Sequence, residues 1–220
     1  MVEKLGSSPL LYALGTQWHY SIATDVLGHV IEKVTQQSLS SFFKTRIFDP
    51  LDMPDTAFHI NNEKVPRFTS SYGPKNKLVE AYNKSYLRHE NRIQSGGGGL
   101  VSTAEDYLHF CQMLLQKGTW KQEQIVKTTT IQEMTRNQLP KGVLAYGYFG
   151  FGLGFQIQMK DWGNKCHIGE YGWDGAASTH FWISPKDDLI VIALSQKQPF
   201  SNELKNNLKP VIYDIIATKD

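Results

Sequence analysis

Apolar residues recur at three- and four-residue steps through much of the first half of the chain, and the pattern changes after Tyr146. Ile22, Val26, Leu27, Val30, Ile31 and Val34 mark an amphipathic helix. Ser38 is placed to cap a second, short helix carrying Leu39, Phe42, Phe43 and Ile47, which Pro50 stops. Residues 61 to 92 are polar, with Pro66, Gly73 and Pro74 and no period, and read as a long loop with short structured pieces. Ser102, with Glu105 three residues on, has the form of a capping box. It opens a helix whose inner face is Tyr107, Leu108, Cys111, Leu114 and Leu115, closed by Gly118. A further short helix is expected between residues 121 and 139.

Beyond Tyr146, the segments 155–159, 176–183 and 189–194 are rich in aromatic and β-branched residues and separated by turn formers. Pro185-Lys186-Asp187-Asp188 predicts a tight turn and an antiparallel hairpin. A helix over about 202–217 ends the chain, with Leu204, Leu208, Val211, Ile212 and Ile215 on one face. Helices, then an antiparallel meander, then a helix predict an α+β domain, with an antiparallel sheet packed against helices. The length of 220 residues suits a single domain. Residues 1–145 are expected to be mainly helix and loop, and residues 146–220 antiparallel sheet and C-terminal helix.

Composition narrows the function classes. With 23 basic and 21 acidic residues the net charge is +2, and no run of five or more basic residues occurs. Neither nucleic acid nor an anionic membrane is an expected partner, since both require a concentrated positive field. No stretch reaches the 18 or so apolar residues of a membrane span, and residues 1–8 lack the form of a secretory signal. Cys111 and Cys166 form no CxxC pair; the sequence leaves a bridge between them open, and two buried thiols are the expected reading. The seven histidines form no HExxH or zinc-spaced cluster, and His167 and His180 read as packing residues rather than ligands. Gly96 to Gly99 lacks the Gly-Lys-Ser/Thr of a phosphate loop and reads as a flexible turn before the capped helix.

Five segments in order carry a family resemblance. They are Gly15-Thr16-Gln17-Trp18-His19-Tyr20-Ser21; Leu27 to Glu32; Ile47-Phe48-Asp49-Pro50-Leu51-Asp52-Met53; Gly97 to Asp106; and Trp173-Asp174-Gly175-Ala176 followed by His180 to Pro185. Together they resemble the serine β-lactamase, penicillin-binding protein and esterase superfamily, on its class C side. The resemblance implies acyl transfer: a Ser in a Ser-x-x-Lys motif attacks a carbonyl, a Lys and a Tyr handle its proton, and two backbone N–H groups hold the oxyanion. Neither metal nor cofactor is implied. Tyr20 matches the family tyrosine, and the N–H of Ala176 matches one oxyanion donor. Ile22 stands where the β-lactamases keep Asn. Trp173-Asp174-Gly175 stands where they keep Lys-Thr-Gly, and Trp173 resembles the Trp-Gly-Gly version of the family esterases. Losing that Lys removes a cation that would hold a substrate carboxylate. The implied substrate-contacting positions are therefore Ile22, Trp173, Asp174 and Gly175, and the lean is toward an esterase.

One Ser-x-x-Lys occurs, Ser41-Phe42-Phe43-Lys44. At about 100° per residue, Ser41 and Lys44 fall opposite the apolar face of their helix and point to solvent. They also follow the Tyr, out of family order. Residues 1–19 contain no Ser-x-x-Lys. The expectation is a C-terminal two-thirds of the domain, without the N-terminal strands and nucleophile helix. Such a piece is inactive alone and acts on a small ester or amide only when complemented by an N-terminal segment. A sheet edge left unpaired also invites self-association, and the alternative function is a non-catalytic binding module.

Overall fold

The computed structural model describes residues 5–81, 84–85, 93–162 and 165–218. Five named α-helices and nine strands lie among them, with a π-helical turn at Lys44–Phe48 following the second helix. The helices are α1 (Ala23–Thr35), α2 (Leu39–Phe43), α3 (Ala104–Leu115), α4 (Thr128–Met134) and α5 (Glu203–Ala217). Strands β1 (Ser71–Tyr72) and β2 (Leu78–Glu80) form one small hairpin, and β3 (Thr119–Trp120) and β4 (Glu123–Gln124) another. The main sheet is an antiparallel meander in the order β5 (Gly150–Phe151), β6 (Gln156–Ile157), β7 (Tyr171–Gly175), β8 (Thr179–Ser184) and β9 (Leu189–Ala193).

The predicted α+β architecture is present, with the sheet packed against helices. Ser38 caps α2 by accepting from the Ser41 N–H at 3.1 Å. The Pro185–Asp188 turn joins β8 to β9 in antiparallel register. In the 61–92 loop, 3-10 turns and the β1–β2 hairpin form the short pieces, while residues 82–83 and 86–92 lie outside the described residues. The α3 cap is shifted by one from its predicted place. Thr103, not Ser102, accepts from the Asp106 N–H at 3.1 Å. The shift follows from Asp106, whose buried carboxylate accepts from the Asp55 N–H and the Thr56 hydroxyl, both at 2.8 Å. That links the start of α3 to the 53–56 turn.

The core lies between the α3 side of the sheet and the helices. Tyr171, Phe181 and Ile183 from β7 and β8 meet Cys111, Met113 and Leu114 of α3, with Phe48, Leu51 and Met53 closing the layer. Both cysteines are free, buried thiols, and burial pushes the Cys111 thiol up to about 12.

The glycine run is more than a flexible turn. A Cβ on Gly96 would stand 2.1 Å from the Thr24 carbonyl oxygen and 3.1 Å from the Gly28 nitrogen. Backbone therefore packs on backbone between the 95–99 segment and the first turns of α1. Gly28 is the buried residue of α1, whereas Leu27, Val30 and Val34 of its apolar stripe are exposed.

The opposite face of the sheet is unusually polar, and α5 lies on it. The predicted apolar stripe of α5 is only half used: Val211 and Ile215 are exposed. The inward line is Lys205, Lys209 and Tyr213, spaced four apart on one helix face. Lys209 Nζ and the Tyr213 hydroxyl both bond the carboxylate of buried Glu170, just before β7. Burial, then that carboxylate, pushes the Tyr213 phenol up. Lys205 Nζ lies 3.0 Å from both carboxylate oxygens of Asp174, and His180 Nδ1 lies 2.8 Å from one of them. Two lysines with two carboxylates make a charge-balanced layer, which a stripe of leucines would not specify.

Two stability outcomes are expected. Gly96→Ala should cost about 2 kcal/mol of stability, read as a lower urea midpoint, because carbonyl backbone cannot yield to a methyl group, whereas Gly98→Ala, with open space around it, should match the parent. Asp174→Ala should cost about 3 kcal/mol by stranding Lys205 and His180, and adding Lys205→Met should recover at least about 1 kcal/mol of it. Strict additivity in that double-mutant cycle would show that the pair does not couple the helix to the sheet.

Candidate functional site

The residues singled out by motif converge at the ends of β7 and of the loop before α1. Trp173 pairs with Phe181 in the β7–β8 ladder, which turns its side chain toward the α3 face. Asp174 is the next residue, so it faces α5, where His180 and Lys205 hold it. Tyr20 comes from the exposed 12–20 loop and stacks on Trp173, with ring centroids 5.9 Å apart and planes 24° from parallel. Tyr20 is 60% exposed, so its phenol is open to a ligand. Ile22 is exposed at the start of α1, two residues further on.

More rings extend this wall. Phe151 meets Trp173 edge-on at 5.3 Å, and Trp18 meets Phe151 at 5.3 Å and Tyr20 at 6.5 Å. Tyr146 meets Trp18 at 4.7 Å. Trp18 stands within a matching segment that gave it no role, and Tyr146 and Phe151 stand in none. The aromatic density from Tyr146 to Phe155 was the signal that could have found two of them.

Gly175 closes β7, and Ala176 begins the turn to β8. The Ala176 N–H enters none of the turn's backbone hydrogen bonds among the described residues, and Ala176 is exposed. The segment 176–183, predicted as one strand, is therefore a turn followed by β8. Ser178 shapes that turn. It is 1% exposed with φ +62°, its N–H donates to the Gly175 carbonyl at 2.9 Å, and its hydroxyl donates to the Lys197 carbonyl at 2.9 Å. It also accepts from the Ser201 N–H at 3.0 Å. The 195–201 segment thus pins the turn that presents Ala176.

Ser41 and Lys44 lie away from this wall. Both are exposed; Lys44 pairs with Asp49, and the Ser41 hydroxyl pairs with that of Ser38. Neither is bonded to the other, in keeping with their rejection as nucleophile and base. Among the described residues no group of His, Cys, Asp and Glu is placed to hold a metal, and no helix is long and apolar enough to cross a membrane.

The chain has known relatives. Protein Rv1367c of Mycobacterium tuberculosis is 27% identical over 89% of this chain and 52% of its own length. Esterase EstB of Burkholderia gladioli is 25% identical over 96% of this chain and 58% of its own. The chain thus spans little more than half the length of these curated relatives. Among solved structures, simvastatin synthase (LovD) from Aspergillus terreus superposes with a TM-score of 0.82 at 20% identity, over 99% of this chain and 61% of that one. At that identity the likeness speaks for the fold alone. The family model described as Beta-lactamase matches residues 1–210, and the chain belongs to the Beta-lactamase family.

Proposed function

We propose that this chain carries the tyrosine and oxyanion side of a serine acyl-transfer site that acts on uncharged esters, with the nucleophile supplied by polypeptide outside these 220 residues. The observation that carries the reading is the stack of Tyr20 on Trp173, which joins the two motif segments from opposite ends of the chain. Tyr20 is the group that exchanges the proton during attack and departure of the leaving group. The N–H of exposed Ala176, held by the Ser178 turn, is one oxyanion donor. Trp173, Phe151 and Trp18 form an apolar wall with no cation among them, which favours a neutral ester over a carboxylate-bearing substrate. The Burkholderia relative is named an esterase, which supports the same direction.

A second reading, a non-catalytic binding module, draws on β9. Its apolar Leu189–Ala193 run is an outer strand of the main sheet, and an open strand edge accepts another strand. A clean monomer in size-exclusion chromatography over a wide concentration range would count against edge pairing.

Fluorophosphonate labelling tests the main reading. The purified 220-residue chain should remain unlabelled, and a Ser-x-x-Lys segment should be encoded upstream of it. Stoichiometric adduct formation at any serine of this chain would overturn the placement of the nucleophile outside it.

A further inference from the structure

Tyr146 sits in a loop that is closed at its base and strained at its tip. Ala145 is fully buried, its N–H donates to the Phe149 carbonyl at 2.8 Å, and the Phe149 N–H donates back at 3.0 Å. Between these anchors Tyr146 has φ +51° and Gly147 has φ +82°. The second value suits glycine, but the first is an unfavourable place for a bulky ring. A glycine would occupy it without strain, yet the chain has a tyrosine that is 54% exposed. Strain of this kind persists where a side chain is needed at a particular place. The ring is directed onto Trp18, at 4.7 Å and 61° between planes. Trp18 lies between Tyr146 and Tyr20, which connects Tyr146 to the stack on Trp173. Burial pushes the Tyr146 phenol up, and Tyr20, Asp174 and Tyr148 push in the same direction, so the hydroxyl stays a neutral donor.

We infer that Tyr146 is a specificity-determining residue of this site, whose ring, with Trp18, takes a flat, uncharged group of the substrate such as an aryl ring on the acyl or alcohol side. The inference rests on the reading that Tyr20 and Trp173 mark the acyl site. An exposed ring beside an edge-on indole offers the offset and edge contacts that a planar group prefers. It offers no charge to hold an ionised one.

The test uses butyrophenone, an aryl ketone that copies the carbonyl of a phenyl ester and has no leaving group. It is titrated into the 220-residue chain, with tryptophan fluorescence and saturation-transfer NMR as readouts, and 2-pentanone serves as the probe without a ring. Saturable butyrophenone binding is expected. Y146G should weaken it about fivefold, the loss of one aromatic contact, and Y146F should stay within about twofold of the parent. Weak 2-pentanone binding should be the same in all three proteins. Because glycine accepts the left-handed conformation, the melting temperature of Y146G should be no lower than the parent's. A melting temperature that falls together with affinity would make Tyr146 a structural residue and overturn the inference. Parent-like butyrophenone binding by Y146G, with binding lost in W173A, would overturn the role of Tyr146 and leave the acyl-site reading intact. Absence of saturable butyrophenone binding to the parent would overturn both, and parent-like binding by W173A would overturn the acyl-site reading and, with it, the inference.

Discussion

The ladder between β7 and β8 pairs Tyr171 with Ile183, Trp173 with Phe181 and Asp174 with His180. Side chains alternate across a strand, so each step along β7 changes the layer that is served. Tyr171 and Trp173 join the α3 side, where the core and the aromatic wall lie. Asp174 joins the α5 side and is held there by Lys205 and His180. A slip of one residue would put a carboxylate into the aromatic wall and an indole into the ion-pair layer. The register of these two strands thus sets the core, the docking of α5 and the candidate site together. The turn that follows depends on it as well, since Ser178 can bond Lys197 and Ser201 only from its place after Gly175.

Much of the fold was legible because its helices and its last hairpin obey simple periods. α1, α2, α3 and α5 fall where apolar spacing places them, and Pro185–Asp188 reads directly as a turn. Other features were hidden for physical reasons. β7 reads Tyr-Gly-Trp-Asp-Gly, in which Tyr171 and Trp173 alternate, but two glycines and an aspartate in five residues are poor strand formers and mask it. The inner line of α5 escapes apolar spacing because half-buried Lys205 and Lys209 and buried Tyr213 are held by carboxylates that come from distant sequence. The α3 cap moves by one residue because Asp106 answers to the 53–56 turn, a tertiary demand that local motif spacing does not encode.

The candidate site was legible only as far as its motifs reach. Tyr20, Trp173 and Ala176 can be picked out by their flanking residues, and they do lie at one end of the fold. Asp174 groups with the substrate-contacting positions by its place in the motif, but alternation turns its side chain to α5. Tyr146 belongs to an aromatic-dense stretch, but nothing in the sequence singles it out within that stretch. Its backbone strain and its contact with Trp18 exist only once the loop is closed by Ala145 and Phe149.

The rings of the wall are anchored unequally. Trp173 is fixed by a strand with neighbours on both sides. Phe151 is fixed through its N–H, which donates to the Asn137 side chain at 3.0 Å, and through its carbonyl, which accepts from the Gln138 N–H at 2.8 Å. Tyr146 is fixed by the bridge at the base of its loop. Tyr20 follows an exposed segment whose internal hydrogen bonds include the short-range Thr16-to-Ala13 turn, so its ring contacts weigh more in placing it. An aromatic pair is worth about 1 kcal/mol, enough to bias a loop by several-fold but not to lock it. Tyr20 is therefore the least preorganised member of the site, and the stack on Trp173 is what converts the rigidity of the sheet into a defined position for the phenol. On the proposed ester chemistry Trp173 would have a double duty: contacting the substrate and holding the proton-handling group in reach of it.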